Sequence, residues 1–374
     1  MFSRFNRSIK RNACFLCTTP LQILGAISLQ LSNKQDADLF LFDDYKGYQS
    51  VGERLEPYGI FNNVYLINFY SSLTVKGIIL RLWLFLRMIF CKQYLNFFLP
   101  SNIYYDKLYT SSSALSKMVI ANALKKRNND MRTIMYDDGV GSYSKTNRVQ
   151  TGSSLFRKAK TILGWKDLFG DISETYLYQP TLFNNGSASA KQLPFLELND
   201  ENKNMLLDVF GVDSIDKLII NEKAILFDTY RGQSSQNMDI TDLDSLYSVI
   251  LQCVGKQNII LKEHPRSTGK PNIEMTKFPQ NSLPIELVFL HQKDLENKVL
   301  IALNSTAVFT PKMLFNKEPR IILLYRLIGN TPETVKKRDE LYLNMLKMYS
   351  ARTRVFIPET KDQLIDILDK WMSE

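Results

Sequence analysis

The stretch that decides the fold is ACFLCTTPLQILGAISLQLS, residues 13–32. A short apolar run ends at Thr18 and Thr19, and a helix-length segment follows from Pro20, a residue favoured in the first turn of helices. Further short apolar runs recur at 38–42, 64–69, 107–111, 132–136, 223–228, 258–262, 298–303, 320–325 and 353–357. Most are continuous rather than alternating, which predicts strands that are covered on both faces.

Helix-length segments separate many of these runs, as at 114–127, 241–254 and 361–373. This alternation predicts an α/β fold with parallel sheets, and a length of 374 residues suggests two domains at roughly 100–200 residues each. The stretch 141–205 is rich in Ser, Gly and Asn, and we expect irregular structure there. We therefore predict two α/β domains that face a cleft, at 1–205 and 206–374, with the last helix packing either in its own domain or back on the first.

The composition excludes several classes of protein. Charged residues at 23% and apolar residues at 45% are ordinary for a globular protein and exclude disordered, collagen-like and disulfide-scaffold chains. Four cysteines indicate a reducing compartment, and two histidines exclude a His-rich metal centre. The formal net charge of +9 admits nucleic acid, an anionic membrane surface or a phosphorylated substrate as partner.

Residues 73–99 form an apolar segment that is long enough to span a bilayer. Four cations interrupt it, and each costs about 2.5–3.5 kcal/mol near the centre of an inserted helix, so we do not expect a membrane span. Two interpretations stay open. We favour a helix of the first domain with its cations at the surface over a helix that lies on a membrane.

A first candidate site is YDDGVGS, residues 136–142, which follows an apolar run. Ligands of open α/β sheets bind at the carboxyl ends of the strands. Adjacent side chains of an extended chain point in opposite directions, so one of Asp137 and Asp138 is expected to face the cleft and the other to brace the loop. Gly139 permits a left-handed backbone. The alternative is an ordinary turn, in which Asp and Gly are common.

A second candidate is LKEHPRS, residues 261–267, again after an apolar run. His264 suits a general acid near neutral pH, and Pro265 restricts the backbone of the histidine to extended conformations. Lys262 and Arg266 flank it and suit anionic oxygens. These neighbours favour a functional histidine over an incidental one.

Hydroxyl and carboxyl groups near the next apolar run form a third candidate. Ser305 and Thr306 stand where a strand is expected to turn into a helix, which suits either a phosphate site or an ordinary helix cap. Upstream, Glu286 suits the hydroxyls of a ribose or a solvated helix start. Cys14 and Cys17 are not expected to bind metal, because a strand places them on opposite faces and no second ligand pair exists.

Taken together, these motifs resemble bacterial sialyltransferases, above all glycosyltransferase family 52, the lipooligosaccharide α-2,3-sialyltransferases. The resemblance spans roughly residues 13–310 and rests on Thr19-Pro20-Leu21-Gln22, Tyr136-Asp137-Asp138-Gly139-Val140-Gly141, His264-Pro265-Arg266, Pro284-Ile285-Glu286 and Ser305-Thr306. It implies a GT-B fold, in which two Rossmann-like parallel-sheet domains face a central cleft, with the acceptor on the first domain and CMP-sialic acid on the second. It also implies transfer to a terminal galactose of a glycan, with inversion and without a metal or other cofactor.

The resemblance further implies roles for individual residues. His264 protonates or hydrogen-bonds the departing CMP phosphate, Ser305 and Thr306 hold that phosphate, and Glu286 holds the ribose. The remaining candidates are Lys262, Pro265 and Arg266 on the donor side and Asp137, Gly139, Thr19 and Gln22 on the acceptor side or its loop.

Two aspartates are open as the general base. In family 52 the base lies in the loop after the first strand of the second domain, here LFDTYRG at 226–232. The aligned position is near Arg231, and Asp228 stands three residues earlier. In the related family 80 the base belongs to the Asp-Asp-Gly motif, which corresponds to Asp138. We favour Asp228 slightly.

Other functions remain open beside this one. A polysialyltransferase or another CMP-sugar transferase, such as a Kdo transferase, would share the motifs, and a basic polyanion-binding protein would share only the charge. No run of Arg and Lys and no recognition motif supports nucleic acid as a partner. We expect a cytoplasmic protein at the inner face of a bacterial membrane, with peripheral membrane contact, and leave a homodimer open.

Overall fold

The computed structural model describes residues 9–69, 86, 90, 95–96, 99–112, 114–143, 172–183, 190–195, 199–229, 240–264, 271–279, 283–329 and 331–374. The chain divides into two units, Met1–Gly211 and Val212–Glu374. The boundary falls a few residues beyond the predicted one at 205, because the helix Asp200–Val209 packs on the helix Tyr48–Leu55 of the first unit.

The first unit contains a parallel sheet with the strand order β3-β2-β1-β4-β5-β6-β7. Its strands are β1 (Ile9–Cys17), β2 (Ala37–Phe42), β3 (Val64–Ile67), β4 (Ile103–Thr110), β5 (Arg132–Tyr136), β6 (Ile172–Leu177) and β7 (Ala190–Gln192). Its described helices are α1 (Pro20–Asn33), α2 (Tyr48–Leu55), α3 (Leu115–Arg127) and α4 (Asp200–Val209). Every residue of β2 is buried, which accounts for the continuous apolar run in its sequence.

The second unit contains a smaller parallel sheet with the order β12-β11-β10-β8-β9. Its strands are β8 (Ala224–Phe227), β9 (Ile259–Lys262), β10 (Val299–Ala302), β11 (Arg320–Leu323) and β12 (Val355–Phe356). Its described helices are α5 (Ile240–Val254), α6 (Ile285–His291), α7 (Thr310–Phe315), α8 (Pro332–Met345) and α9 (Lys361–Ser373). The last helix packs in its own unit, where Leu364, Leu368 and Trp371 join the core with α5.

Each sheet has one point at which the strand order reverses. In the first sheet this switch point lies between β1 and β4, as in the dinucleotide-binding Rossmann order, here extended by one strand. In the second it lies between β8 and β10, as in flavodoxin-like sheets. The prediction of two Rossmann-like, parallel-sheet α/β domains is confirmed.

The prediction of irregular structure at 141–205 is wrong for much of its described part, which contains β6, β7 and the start of α4. β6 contains three consecutive polar residues and β7 is the short segment Ala190–Gln192, so both lack the continuous apolar run that predicted β1 to β5 and β8 to β12. Most of 73–99 lies outside the described residues. Within the described part of the chain, no helix is both long enough and apolar enough to cross a membrane.

Candidate functional site

Polar side chains collect at the carboxyl ends of three neighbouring strands of the first sheet. Thr18 and Thr19 follow β1, Ser111 follows β4, and Asp137 and Asp138 follow β5. Since β1 and β4 flank the switch point, this edge is where an open α/β sheet binds its ligand. The sequence predicted this position for the two aspartates.

Asp137 is the carboxylate that braces the loop. It is fully buried, and it accepts hydrogen bonds from the backbone N–H of Gly139 (2.8 Å) and of Tyr178 (3.0 Å) and from the hydroxyl of Tyr143. Burial raises the pKa of Asp137 to about 6, against the opposing effect of these donors. Gly139 has φ +86°, the left-handed conformation that glycine adopts without strain.

Asp138 is the carboxylate that remains partly exposed. Its Oδ2 accepts a hydrogen bond from Nε2 of Gln22 at 2.8 Å, and its Oδ1 accepts one from the hydroxyl of Thr19 at 3.3 Å. Its own N–H donates to Oγ of Ser142 at 2.9 Å. The predicted division between a bracing and an accessible aspartate is therefore present, and both carboxylate oxygens of Asp138 are held in place.

A buried lysine stands behind this arrangement. Oε1 of Gln22 accepts hydrogen bonds from the N–H of Thr18 (2.7 Å) and from Nζ of Lys117 (2.7 Å), and both Gln22 and Lys117 are fully buried. Nζ of Lys117 also lies 3.4 Å from Oγ of Ser111. Burial lowers the pKa of Lys117 to about 8. Lys117 and Ser111 were not predicted as site residues; the one usable signal was that Lys117 precedes the apolar run Met118–Ala121 of α3.

The second sheet also gathers polar side chains at its switch point. Asp228 and Thr229 follow β8, His264 follows β9, and Asn304 and Ser305 follow β10. The hydroxyl of Thr229 donates to Oδ1 of Asn304 at 3.1 Å, which joins the strands on the two sides of the switch point. Thr229 lies in the LFDTYRG loop and Asn304 directly precedes Ser305, but neither was predicted as a site residue.

Asp228 is buried, with 3% of its surface exposed. Its Oδ1 accepts a hydrogen bond from the hydroxyl of Tyr247 in α5 at 3.1 Å, and its N–H donates to the carbonyl of Lys262 at 2.9 Å. These contacts tie β8 to β9 and to α5. Asp228 thus differs from Asp138, the other candidate base, which is partly exposed.

Lys262 and Glu286 are both buried at this edge. Nζ of Lys262 lies 5.3 Å from the ring centroid of Phe278. Burial lowers the pKa of Lys262 to about 8, while the negative charges of Glu286 and Glu263 act in the opposite direction. With a pKa of about 8, Lys262 carries a positive charge at neutral pH, and a buried cation at the strand ends suits an anionic ligand.

The hydroxyl and imidazole candidates lie close in sequence to the strand ends. Oγ of Ser305 caps a short helical turn by accepting a hydrogen bond from the N–H of Ala307 at 3.4 Å, and Thr306 begins that turn. Ser305, Thr306 and His264 are half-buried. Pro265 and Arg266 lie outside the described residues. The cap leaves the hydroxyl hydrogen of Ser305 free to donate elsewhere.

Across the described residues, no group of three His, Cys, Asp or Glu side chains is placed to hold a metal ion. Cys14 and Cys17 are buried in different surroundings: Sγ of Cys17 lies 3.1 Å from the hydroxyl of Tyr136, and Sγ of Cys14 lies 3.7 Å from the carbonyl of Lys107. Burial raises the pKa of the Cys17 thiol to about 12, so this sulfur is a thiol rather than a thiolate.

Two Rossmann-like sheets with polar switch points define an α/β protein with the ligand-binding edges typical of nucleotide-dependent enzymes. The family model for alpha-2,8-polysialyltransferase (POLYST) matches residues 14–324. The chain therefore belongs to the alpha-2,8-polysialyltransferase family and is a glycosyltransferase of the sialyltransferase kind, which implies a nucleotide-sugar donor and a glycan acceptor. This confirms the predicted class of enzyme at the level of sialyltransferase, while family 52 and the α-2,3 linkage are not part of the match.

Two solved structures illustrate a distant similarity of fold. UDP-GlcNAc 2-epimerase from Neisseria meningitidis, bound to UDP-GlcNAc, is 12% identical with a TM-score of 0.48, over 97% of this chain and 100% of that one. TcCGT1 in complex with UDP is 9% identical with a TM-score of 0.46, over 97% of this chain and 90% of that one. Such values are too low to transfer a ligand or a mechanism. Among curated proteins, none matches this sequence.

Proposed function

We propose that this protein is an inverting, metal-independent sialyltransferase that moves sialic acid from CMP-sialic acid to a terminal galactose of a surface glycan, in α-2,3 linkage. The observation that carries the proposal is the Asp138 carboxylate, partly exposed at the switch point of the first sheet and held by Gln22 and Thr19, in a chain of a sialyltransferase family. A carboxylate fixed in this way suits the removal of a proton from an acceptor hydroxyl.

In this proposal Asp138 is the general base, rather than Asp228, which the sequence slightly favoured. A base must come within about 2.6–3.2 Å of the hydroxyl that it deprotonates, and Asp138 is the more exposed of the two carboxylates. Asp228 is buried and holds β8 against Tyr247. The acceptor oxygen attacks the anomeric carbon as its proton passes to Asp138, and the bond from that carbon to the CMP phosphate breaks.

Groups of the second sheet stabilise the departing phosphate in this proposal. Charge that develops on a leaving group is stabilised by positioned donors, and His264, Ser305 and Thr306 supply an imidazole and two hydroxyls. The buried cation of Lys262 adds positive charge at the same edge. CMP leaves as a monophosphate, for which these donors suffice without a metal ion. Glu286 holds the ribose in this assignment.

The linkage is the part for which a second candidate has specific support. The family name refers to α-2,8 transfer, in which the acceptor is itself a sialic acid. A reaction with purified protein, CMP-sialic acid and lactose, with the product linkage read by NMR, tests the α-2,3 assignment. A parallel reaction on an α-2,8-linked oligosialic acid primer tests the second. Both are repeated in EDTA, which leaves a metal-independent enzyme fully active.

The outcomes separate the candidates. Transfer to lactose in α-2,3 linkage supports the proposal, and elongation of the primer alone assigns the α-2,8 activity instead. Absence of transfer to any acceptor, together with a salt-dependent gel shift on polyanions, would make this a polyanion-binding protein.

The role of the histidine is tested with a matched pair of variants. We expect His264→Ala to lower transfer at least about a hundredfold, because general acid–base catalysis contributes on that scale. The chain offers a second histidine as control: His291 lies at the far end of α6, and His291→Ala should retain transfer. Near-full activity of His264→Ala would reject the assigned role.

We further propose that the enzyme works at the cytoplasmic face of a membrane, as a peripheral protein. The support is the net charge of +9 and the basic, apolar segment 73–99 of the sequence. Flotation with vesicles that contain anionic lipid, compared with neutral vesicles, tests this. Equal recovery with both kinds of vesicle would contradict it.

A further inference from the structure

One charged group at the carboxyl edge of the first sheet has no part in the mechanism above. Lys117 belongs to α3 and is fully buried, although burying an ammonium is costly unless it is satisfied. Its Nζ donates to Oε1 of Gln22, whose Nε2 in turn donates to Oδ2 of Asp138. Lys117 and Asp138 are therefore the two ends of a chain of hydrogen bonds that runs through a single amide.

We propose that Lys117 is a positioning residue for the general base: through Gln22 and through its buried charge, it orients the Asp138 carboxylate and keeps it ionised. The inference rests on the proposed function, which makes Asp138 the base. Lys117 touches neither substrate in this scheme and acts only on the residue that does.

The orientation follows from the chemistry of the donors. An ammonium group has three donors and no acceptor, so it must face the oxygen of the Gln22 amide. The N–H and the hydroxyl of Thr18 also converge on this oxygen, at 2.7 and 3.1 Å. The amide nitrogen consequently faces Asp138 and has a fixed direction. With the hydroxyl of Thr19 on the other oxygen, the carboxylate has one donor on each side.

The second part of the effect is electrostatic. Lys117 interacts with two carboxylates from different elements, namely Asp138 after β5 and Asp44 after β2. Both favour the charged ammonium, while burial opposes it. In surroundings of low dielectric a positive charge acts strongly on nearby groups, so it favours the ionised form of Asp138.

The first test replaces the ammonium by a thioether of similar length. We expect Lys117→Met to lower kcat about tenfold to a hundredfold, the scale of a misplaced catalytic group, and to leave the KM for CMP-sialic acid within about threefold. The acidic limb of the pH profile of kcat should move to higher pH by about half a unit or more. Lys125→Met is the matched control, since Lys125 is a buried lysine at the other end of α3.

A double-mutant cycle separates positioning from a structural role. If Lys117 acts through Gln22, the loss of kcat in Lys117→Met combined with Gln22→Met should be about that of the worse single variant. Losses that multiply, or an acidic limb that stays at the same pH, would overturn the proposal. An unaltered pH profile in Lys125→Met is part of the expected result.

If Lys117→Met does not fold, the coupling between Lys117 and Asp138 can be measured in variants that keep Lys117. Coupling between two charges is reciprocal, so Asp138→Asn must lower the midpoint at which the Lys117 ammonium titrates. The side-chain resonances of lysines labelled at Cε report this titration. Lys262 also titrates near pH 8, and the Lys262→Met variant identifies which resonance belongs to Lys117. A midpoint that does not change in Asp138→Asn would refute the coupling.

Failure of this inference is distinguishable from failure of the proposed function. If wild-type protein transfers no sialic acid, or if Asp138→Asn transfers it at the wild-type rate, the proposed function or its base is wrong. If wild-type protein is active and Asp138→Asn is not, while Lys117→Met follows the wild-type pH profile, only the role of Lys117 is wrong.

Discussion

The buried carboxylate of Asp137 makes the stability of the first domain depend on pH. Burial raises its pKa from 3.8 to about 6, so the folded domain holds this proton more tightly than the unfolded chain does. The stabilisation of the folded domain by the protonated Asp137 carboxyl is fully present below pH 3.8, and it is lost as the pH rises through about 6. A shift of about two units corresponds to about 3 kcal/mol in full, of which about 2 kcal/mol falls between about pH 4.5 and 7.5.

Asp137→Asn isolates this contribution, because the amide does not titrate. The substitution places an NH₂ group against one of the N–H groups that donate hydrogen bonds to the carboxylate. The lost hydrogen bond lowers the stability of the variant by the same amount at every pH. The assay is unfolding in urea, monitored by the hydrogen exchange of peptides from β5. These peptides report on the first domain alone. Relative to wild type, the variant should gain about 2 kcal/mol between about pH 4.5 and 7.5.

Asp130→Asn provides the control, because Asp130 is an exposed aspartate just before β5. Its unfolding free energy should follow that of the wild type across the same range. If Asp137→Asn also followed the wild type, the raised pKa of Asp137 and the reasoning from its burial would be refuted.

Three further predictions concern the two strand-end sites. Asp138→Asn should lower kcat about 10²–10⁴-fold, whereas Asp228→Asn should mainly lower the melting temperature of the second domain; steady-state kinetics and calorimetry on both variants check this. Lys262→Met should weaken the binding of CMP. The affinity of the wild-type protein for CMP should fall as the pH rises through about 8, because the ammonium of Lys262 is neutralised there. Titration calorimetry across this pH range measures both effects, and a wild-type affinity that does not change with pH would contradict the prediction. Gly139→Ala should cost about 1–2 kcal/mol, since φ there is +86°, and should also lower kcat by displacing the neighbouring Asp138; unchanged stability in urea would refute the strain.

Most strands could be predicted because they are buried on both faces. The runs at 38–42 and 132–136 correspond to β2 and β5 within one residue, since most positions there are apolar and nearly all are buried. β6 escaped the same criterion, because its sequence ISETYL has three consecutive polar residues, Ser173, Glu174 and Thr175. Thr175 is buried in the fold although it is polar, so apolar patterning does not locate this strand.

The positions of the candidate site residues at the strand ends could be predicted from the sequence, but their burial and hydrogen-bond partners could not. The sequence places Asp137 and Asp138 after a strand and on opposite sides of the chain, and the structure agrees. Which of them is buried depends on Tyr178, which follows β6 and is far away in sequence. The amide of Gln22 could be named from its motif, but its partner Lys117 comes from another helix and depends on tertiary packing.

The two switch points differ in the chemistry that they offer, and this difference favours the proposed division of labour. At the first, an anionic side chain, Asp138, is partly exposed and surrounded by donors, which is the environment of a group that accepts a proton. At the second, the two strands are joined by a neutral pair, Thr229 and Asn304, and the carboxylate of Asp228 is buried. An exposed carboxylate at this position would repel a phosphate. Asp228 is buried, and the cation of Lys262 adds positive charge at the same edge, which suits an anionic donor. Since one edge suits proton removal and the other suits a leaving phosphate, transfer between two substrates accounts for both better than binding of a single polyanion does.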